Sequence, residues 1–127
     1  MKFVIDDQEF NVIVTELNRN GRVKESKLSG DVKSGAHFRD IIGTYYDYEM
    51  TIGSNALSEA EYDALYEILT APVEFHRVTL PYSSHVLTFQ AYIEDTSDSL
   101  TADNGKTRRW GNLSVRFYAQ KPQRRPT

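Results

Sequence analysis

Over much of the chain, apolar and polar residues alternate one by one, which is the period of a β-strand with one buried face. The alternation is clearest between Tyr46 and Ile52 and again near the C-terminus. Together the patterns predict strands at 3–5, 10–14, 46–52, 73–80, 85–94 and 112–119. The first two are expected to form a hairpin around Asp6 and Asp7. In the last strand, the residues expected to face the core are Leu113, Val115, Phe117 and Ala119.

One segment has the period of an amphipathic helix, over residues 59–70. Ser58 and Glu61 have the spacing of a capping box, which satisfies free backbone N–H groups at the start of a helix. Pro72 is expected to end it. The apolar face predicted to pack on a sheet consists of Tyr62, Leu65, Tyr66 and Leu69.

Two other segments lack a clear period. The Asn20-Gly21 pair, in which positive φ costs little, leads into the polar residues 23–35. These are predicted to form an edge strand plus a loop, or an arm that orders only on assembly. Residues 95–109 are predicted to be a long loop or a mobile hairpin tip.

Strands before and after a single helix predict a mainly β (α+β) fold, an antiparallel sandwich or barrel with the amphipathic helix packed on it. The length of 127 residues and 39% hydrophobic content fit one domain, expected over 1–121, with a flexible basic tail at 122–127. Cysteine is absent and no long apolar stretch is present, so we expect a soluble protein made in the cytoplasm and not associated with membranes.

Charge is distributed unevenly along the sequence. The last 22 residues contain seven Lys or Arg and no acid, whereas the preceding 105 contain eight basic and eighteen acidic residues. Such polarity is typical of a surface that meets another protein, and the overall net charge of −3 argues against a general nucleic-acid binder. Arginine next to aromatic residues is a common composition for an interface. The predicted interface residues are Arg108, Arg109, Trp110, Arg116, Tyr118, Lys121, Arg124 and Arg125.

Metal sites are not predicted. His37, His76 and His85 lack the spacing of a metal motif, and they would form a site only by converging in space, together with a carboxylate. A calcium loop is conceivable from three acids in the second polar segment, but the alternating Asp pattern of such loops is missing. Those three acids are Asp95, Asp98 and Asp103.

Catalytic motifs are also missing from the sequence. Ser83, Ser84 and His85 supply a hydroxyl and an imidazole, but no Gly-x-Ser-x-Gly elbow accompanies them. The glycines form no G-x-G-x-x-G phosphate loop. We therefore expect a protein that is not an enzyme, without cofactor or small-molecule substrate.

The eight tyrosines leave a second hypothesis open. Their rings could form a platform for sugars, which would make the protein a small carbohydrate-binding or adhesion module. Core packing and protein interfaces are the commoner use of tyrosine on strands. The tyrosines concerned are Tyr45, Tyr46, Tyr48, Tyr82, Tyr92 and Tyr118.

Three stretches together resemble small structural proteins of phages and prophages of Gram-positive bacteria: residues 39–46 (RDIIGTYY), residues 61–73 (EYDALYEILTAPV), and residues 110–117 (WGNLSVRF) with Pro122. The order of strands, helix and closing strand is also similar to that of long-tailed phage tail proteins. The resemblance implies a tail-tube-like or distal-tail-like fold and a virion component of the tail or baseplate, made in the host cytoplasm.

The same resemblance implies partners as well. The chain would bind itself, other phage tail proteins, or both, and assemble into rings. The two polar segments, 23–35 and 95–109, would then be arms that contact neighbours. The acidic body and basic end suit a head-to-tail contact between subunits.

Overall fold

The computed structural model of the protein describes residues 1–53 and 56–127, which form ten strands and one helix. In chain order these are β1 (Lys2–Ile5), β2 (Gln8–Asn11), β3 (Ile13–Glu25), β4 (Gly30–Asp31), β5 (His37–Phe38), β6 (Ile41–Gly53), α1 (Glu59–Leu69), β7 (His76–Pro81), β8 (Val86–Tyr92), β9 (Thr96–Asp103) and β10 (Arg108–Ala119).

Eight of the strands form one antiparallel sheet in the order β2-β1-β7-β8-β10-β6-β3, with β9 paired to β10 beside this path. The strand β10 belongs to two sections of the sheet. Its last residues, Tyr118 and Ala119, pair with β8, whereas its earlier part lies between β9 and β6. The molecule therefore has a section β2-β1-β7-β8 and a section β9-β10-β6-β3. The predicted fold class, a mainly β antiparallel sandwich with one helix, is confirmed.

The core lies between the inner faces of these two sections. Phe3 of β1 and Phe117 of β10 have ring centroids 5.7 Å apart, and Tyr48 of β6 stacks on Phe89 of β8 at 5.9 Å. All four of the β10 side chains predicted to face inward are buried. Period-two patterns therefore identified the buried faces of the central strands, since each such strand has one face on the core.

The helix begins where the sequence predicts. The Ser58 side chain accepts the N–H of Glu61, and the Glu61 side chain accepts the N–H of Ser58, both at 3.2 Å. On the predicted apolar face, Tyr62, Leu65 and Leu69 are buried, so α1 packs on the core through one stripe.

The structure chooses between the alternatives for the polar segments. The strand β3 continues through the Asn20-Gly21 pair to Glu25, paired with β6. Residues 95–109 are a hairpin and not a long loop: β9 pairs with β10 up to Asp103 and Arg108, so only its tip turns. Segment 23–35 contains the end of edge strand β3, a loop and β4, as in the first alternative.

At the C-terminus, the residues predicted to form a flexible tail contact β6. Thr44 donates its N–H to the carbonyl oxygen of Arg124 at 2.8 Å and accepts the N–H of Gln123 at 3.0 Å. The Gln123 side chain bonds both the N–H and the carbonyl oxygen of Tyr46. As far as Arg124, the end of the chain thus lies along the edge of β6 that β10 leaves uncovered.

Candidate interaction surfaces

A two-stranded arm extends from the sheet section β9-β10-β6-β3. The strand β10 pairs with β6 only between Tyr48 and Ile52, whereas β3 pairs with β6 up to Glu25 and Ile41. We define the arm as residues 20–47: the strand ends 20–25 and 41–47, and the tip 26–40 that joins them. In the described part of the chain, no other pair of strands extends as far beyond its neighbours in the sheet.

The tip of the arm is held by short polar contacts. A small ladder joins β4 to β5, and Ser26 bonds Asp40 through both side chain and backbone. The imidazole of His37 lies between two carboxylates, with Nδ1 2.8 Å from Asp31 and Nε2 3.1 Å from Glu25. Hydrogen bonds to these acids raise the pKa of His37, and the hydrogen bond from His37 lowers the pKa of Glu25.

The arm also exposes large apolar side chains. Leu28 is 75% exposed and Phe38 50%. Large apolar residues at the surface are ordinary when isolated and typical of an interface when they lie together. Five exposed ones belong to this segment of the chain: Val23, Leu28, Val32, Phe38 and Ile41.

The C-terminal residues contact the base of the arm through Gly43. This glycine has φ +154°, and a Cβ placed on it would lie 2.5 Å from the Arg124 carbonyl oxygen and 2.7 Å from Pro122. Only a residue without a side chain therefore allows the end of the chain to lie this close to β6. At the base of the arm, Arg22 also stacks over the ring of Tyr45 at 4.6 Å.

Charges in the section β9-β10-β6-β3 alternate in sign from strand to strand. The charged residues of β9 are acidic, those of β10 are all arginine, and those of β6 are acidic. Ion pairs link neighbours: Arg108 with Asp103, Arg116 with Glu49, and Arg22 with Asp47. Within β3, residues 17–24 are basic without an acid. Each interior strand of this section thus has neighbours of opposite charge.

The structure distributes the predicted interface residues over three places. Arg108, Arg109 and Trp110 lie on the β9–β10 hairpin. Arg116 and Tyr118 lie on the outer face of β10, where Tyr118 stacks on Tyr92 at 5.2 Å and Arg116 pairs with Glu49. The remaining three, in the C-terminal segment, are exposed: Lys121, Arg124 and Arg125. Sequence reasoning placed a possible arm at 23–35, which is part of the arm seen here, but it missed the paired ends of β3 and β6 that carry the arm. It also missed the basic edge of β3, although the charge of residues 17–24 was visible in the sequence.

A cleft of about 340 Å³ separates the start of α1 from the β9–β10 hairpin. Arg108, Arg109 and Trp110 line one side, and Leu57 and Tyr62 line the other. Burial, and then the hydrogen bond that the Tyr62 hydroxyl donates to Asp98 at 3.0 Å, raise the pKa of this tyrosine. Three of the predicted interface residues thus share a polar cleft with the helix.

The three histidines have separate partners. His76 is buried, with Nδ1 2.6 Å from Asp6, while His37 lies in the tip of the arm. The Oγ of Ser83 lies 3.0 Å from Nδ1 of His85, but both are exposed in the turn between β7 and β8. Among residues 1–53 and 56–127, no group of three or more His, Asp or Glu side chains is arranged to hold a metal ion.

Most of the tyrosines considered as a sugar platform pack on other side chains. Tyr46 and Tyr82 meet edge to face at 5.1 Å, and Tyr92 and Tyr118 are stacked. The Tyr48 ring is buried and the Tyr45 ring is covered by Arg22. Because sugars stack on open ring faces, these contacts favour the packing role.

Comparison with protein-family models and with curated protein sequences found no match. In the part of the chain that the structure describes, no helix has the length and apolar character of a membrane span.

Proposed function

We propose that this protein is a non-enzymatic structural component of a phage or prophage tail or baseplate, which self-associates or docks on other tail proteins. The observation that supports the proposal most is the arm, residues 20–47, with its exposed apolar side chains. The resemblance of three sequence stretches to phage structural proteins suggests the setting.

The energetics of the arm favour assembly. Burial of a large apolar side chain is worth roughly 1.5–3 kcal/mol when it is complete, and the five apolar residues of the arm are between 38% and 75% exposed. Covering them would therefore contribute on the order of several kcal/mol, against an association cost of roughly 4–15 kcal/mol. The arm alone would give weak association, and a second contact is needed for a stable assembly.

The proposal is tested by sedimentation velocity over a range of protein concentrations, combined with negative-stain electron microscopy. We expect concentration-dependent association, with rings among the larger species. The triple variant Leu28→Ser, Val32→Ser, Phe38→Ser removes apolar surface from the arm tip and should shift the protein towards the monomer. Because these side chains are exposed, thermal unfolding should change little.

A matched control leaves the arm unchanged. Val86 is 61% exposed on β8, outside the arm, and Val86→Ser should leave association as it is. A wild-type chain that stays monomeric at high concentration would contradict self-association. Equal association of wild type and triple variant would contradict the role of the arm.

A further inference from the structure

Two edges of the section β9-β10-β6-β3 have no strand beside them in the described residues. One edge is β9 and the other is β3, and they lie on opposite sides of the section. The strand β9 has eight residues and pairs with β10 through two register shifts. Over the eight residues 17–24, β3 pairs with β6 without a register shift. Backbone N–H and C=O groups of each segment point to the open edge, where another strand can bind.

The two edges carry opposite charge. Residues 17–24 of β3 include Arg19, Arg22 and Lys24 and no acid. Residues 94–103, which are β9 and the two residues before it, include four acids and no base. The four are Glu94, Asp95, Asp98 and Asp103. Within the chain, each acidic strand of this section lies beside a basic one. An acidic strand placed beside β3 would continue this alternation of charge.

Strand directions allow the same continuation. All neighbours in the section are antiparallel, and its four strands make β9 and β3 run in opposite directions. A second copy placed beside β3 in the same orientation therefore brings its β9 antiparallel to β3. Each copy would add four strands, or roughly 19 Å, to a continuous sheet at the usual spacing of about 4.8 Å.

We propose that the acidic β9 edge of one copy pairs with the basic β3 edge, residues 17–24, of the next copy. The contact is heterologous, and it deepens the proposed function because it names a surface through which copies assemble. Pairing of β3 with β3 or of β9 with β9 would oppose like charges, which disfavours a symmetric dimer. The strand β2, the other end of the sheet path, has only four residues.

Two variants each block one edge. Gly21→Glu with Lys24→Glu removes the net charge of residues 17–24, and the Gly21 position has room for a Cβ, with its nearest neighbour at 3.6 Å. Asp95→Lys with Ser99→Lys removes most of the negative charge of residues 94–103, and both side chains are exposed. In sedimentation velocity at low salt, each variant alone should associate at least tenfold more weakly than wild type.

An equal mixture of the two variants provides the decisive measurement. Each mixed pair has one intact β3 edge and one intact β9 edge, so the mixture should form dimers and stop there, without larger species. Matched controls keep the charge: Gly21→Gln with Lys24→Arg on β3, and Asp95→Glu with Ser99→Thr on β9. Both controls should assemble as wild type does. Thermal unfolding by circular dichroism shows whether each variant is folded.

Disulfide trapping gives a second readout that needs no charge reversal. The chain has no cysteine, so Gly21→Cys and Ser99→Cys each introduce one thiol. With the two eight-residue segments aligned end to end, positions 21 and 99 face each other. Under mild oxidation, a mixture should yield mainly the mixed dimer between the two variants.

The outcomes separate this inference from the proposed function. Three results would overturn the edge contact. The edge variants could associate as wild type does, or their mixture could stay monomeric or grow beyond dimers. In the trapping experiment, each cysteine variant could form disulfide-linked dimers with itself as readily as with the other variant. Wild-type assembly with any of these results would leave the structural role intact. A wild-type chain that never associates would overturn the edge contact and self-association, and would leave docking on other tail proteins as the structural role.

Discussion

The buried carboxylate of Asp47 joins three strands, and its removal should destabilise the protein measurably. It lies on β6 with its side chain 12% exposed. One oxygen accepts the backbone N–H of Ala119 on β10 at 2.9 Å, and the other accepts Nε of Arg22 on β3 at 3.2 Å. A single side chain therefore links β10 and the base of the arm to the strand between them.

The expected cost of Asp47→Ala follows from the two contacts. The buried N–H of Ala119 loses its acceptor, which costs roughly 1–3 kcal/mol. The contact with Arg22 adds roughly 0.2–1 kcal/mol, because this arginine side chain is 39% exposed and solvent screens its charge. The sum is about 1–4 kcal/mol. With an unfolding entropy of roughly 2.1 cal/mol/K per residue, the melting temperature should fall by about 4–15 °C.

The variant Asp47→Asn separates the two contributions. An amide oxygen still accepts the N–H of Ala119, and only the negative charge is lost, so we expect a cost of about 1 kcal/mol or roughly 4 °C. Glu49→Gln is the control, because Glu49 pairs with Arg116 at the exposed surface and should contribute little. Thermal and urea unfolding followed by circular dichroism measure all three variants. Equal losses for Asn and Ala, or a loss below about 1 kcal/mol for Ala, would refute this account of the site.

Two further predictions concern the arm. Gly43→Ala places a Cβ against the backbone of Arg124 and the ring of Pro122, so it should displace the C-terminal residues from β6. Carboxypeptidase should then digest the variant faster than wild type. An unchanged digestion rate would contradict the contact. In an NMR titration, the pKa of His37 should lie above its ordinary value of 6.5 and fall in Glu25→Gln, since Glu25 is the main cause of the shift. The stabilising contribution of this pair should be lost as the pH rises through the raised pKa of the histidine, and also as it falls through the lowered pKa of the glutamate.

Central strands and the helix were predictable because each has one buried face. The inward residues of β10 and the alternation in β6 follow directly from that geometry. The capping box at Ser58 and Glu61 is a local signal, and the helix begins there. In these elements burial and local sequence agree, so periodicity alone located them.

Edge strands were not predictable in the same way. Apart from half-buried Arg22, residues 18–24 of β3 are exposed on both faces, and so is most of β9. No alternation of apolar and polar residues therefore marks these strands. What makes them strands is pairing with β6 and β10, and the partner of β3 lies about twenty to forty residues along the chain. The Asn20-Gly21 pair favours a turn locally, and the ladder to β6 overrides that preference.

The fold changes which charged residues are available to a partner, because it places strands that are distant in sequence side by side. Three of the seven basic residues at the end of the chain lie on β10, between acidic β9 and acidic β6, and two of these arginines have partners within the chain in Asp103 and Glu49. The basic strand with a free edge is β3, within the part of the sequence that is acidic overall. A head-to-tail contact driven by charge would therefore use β3 as its basic side, because an edge strand offers both cations and free backbone groups while an interior strand offers only side chains.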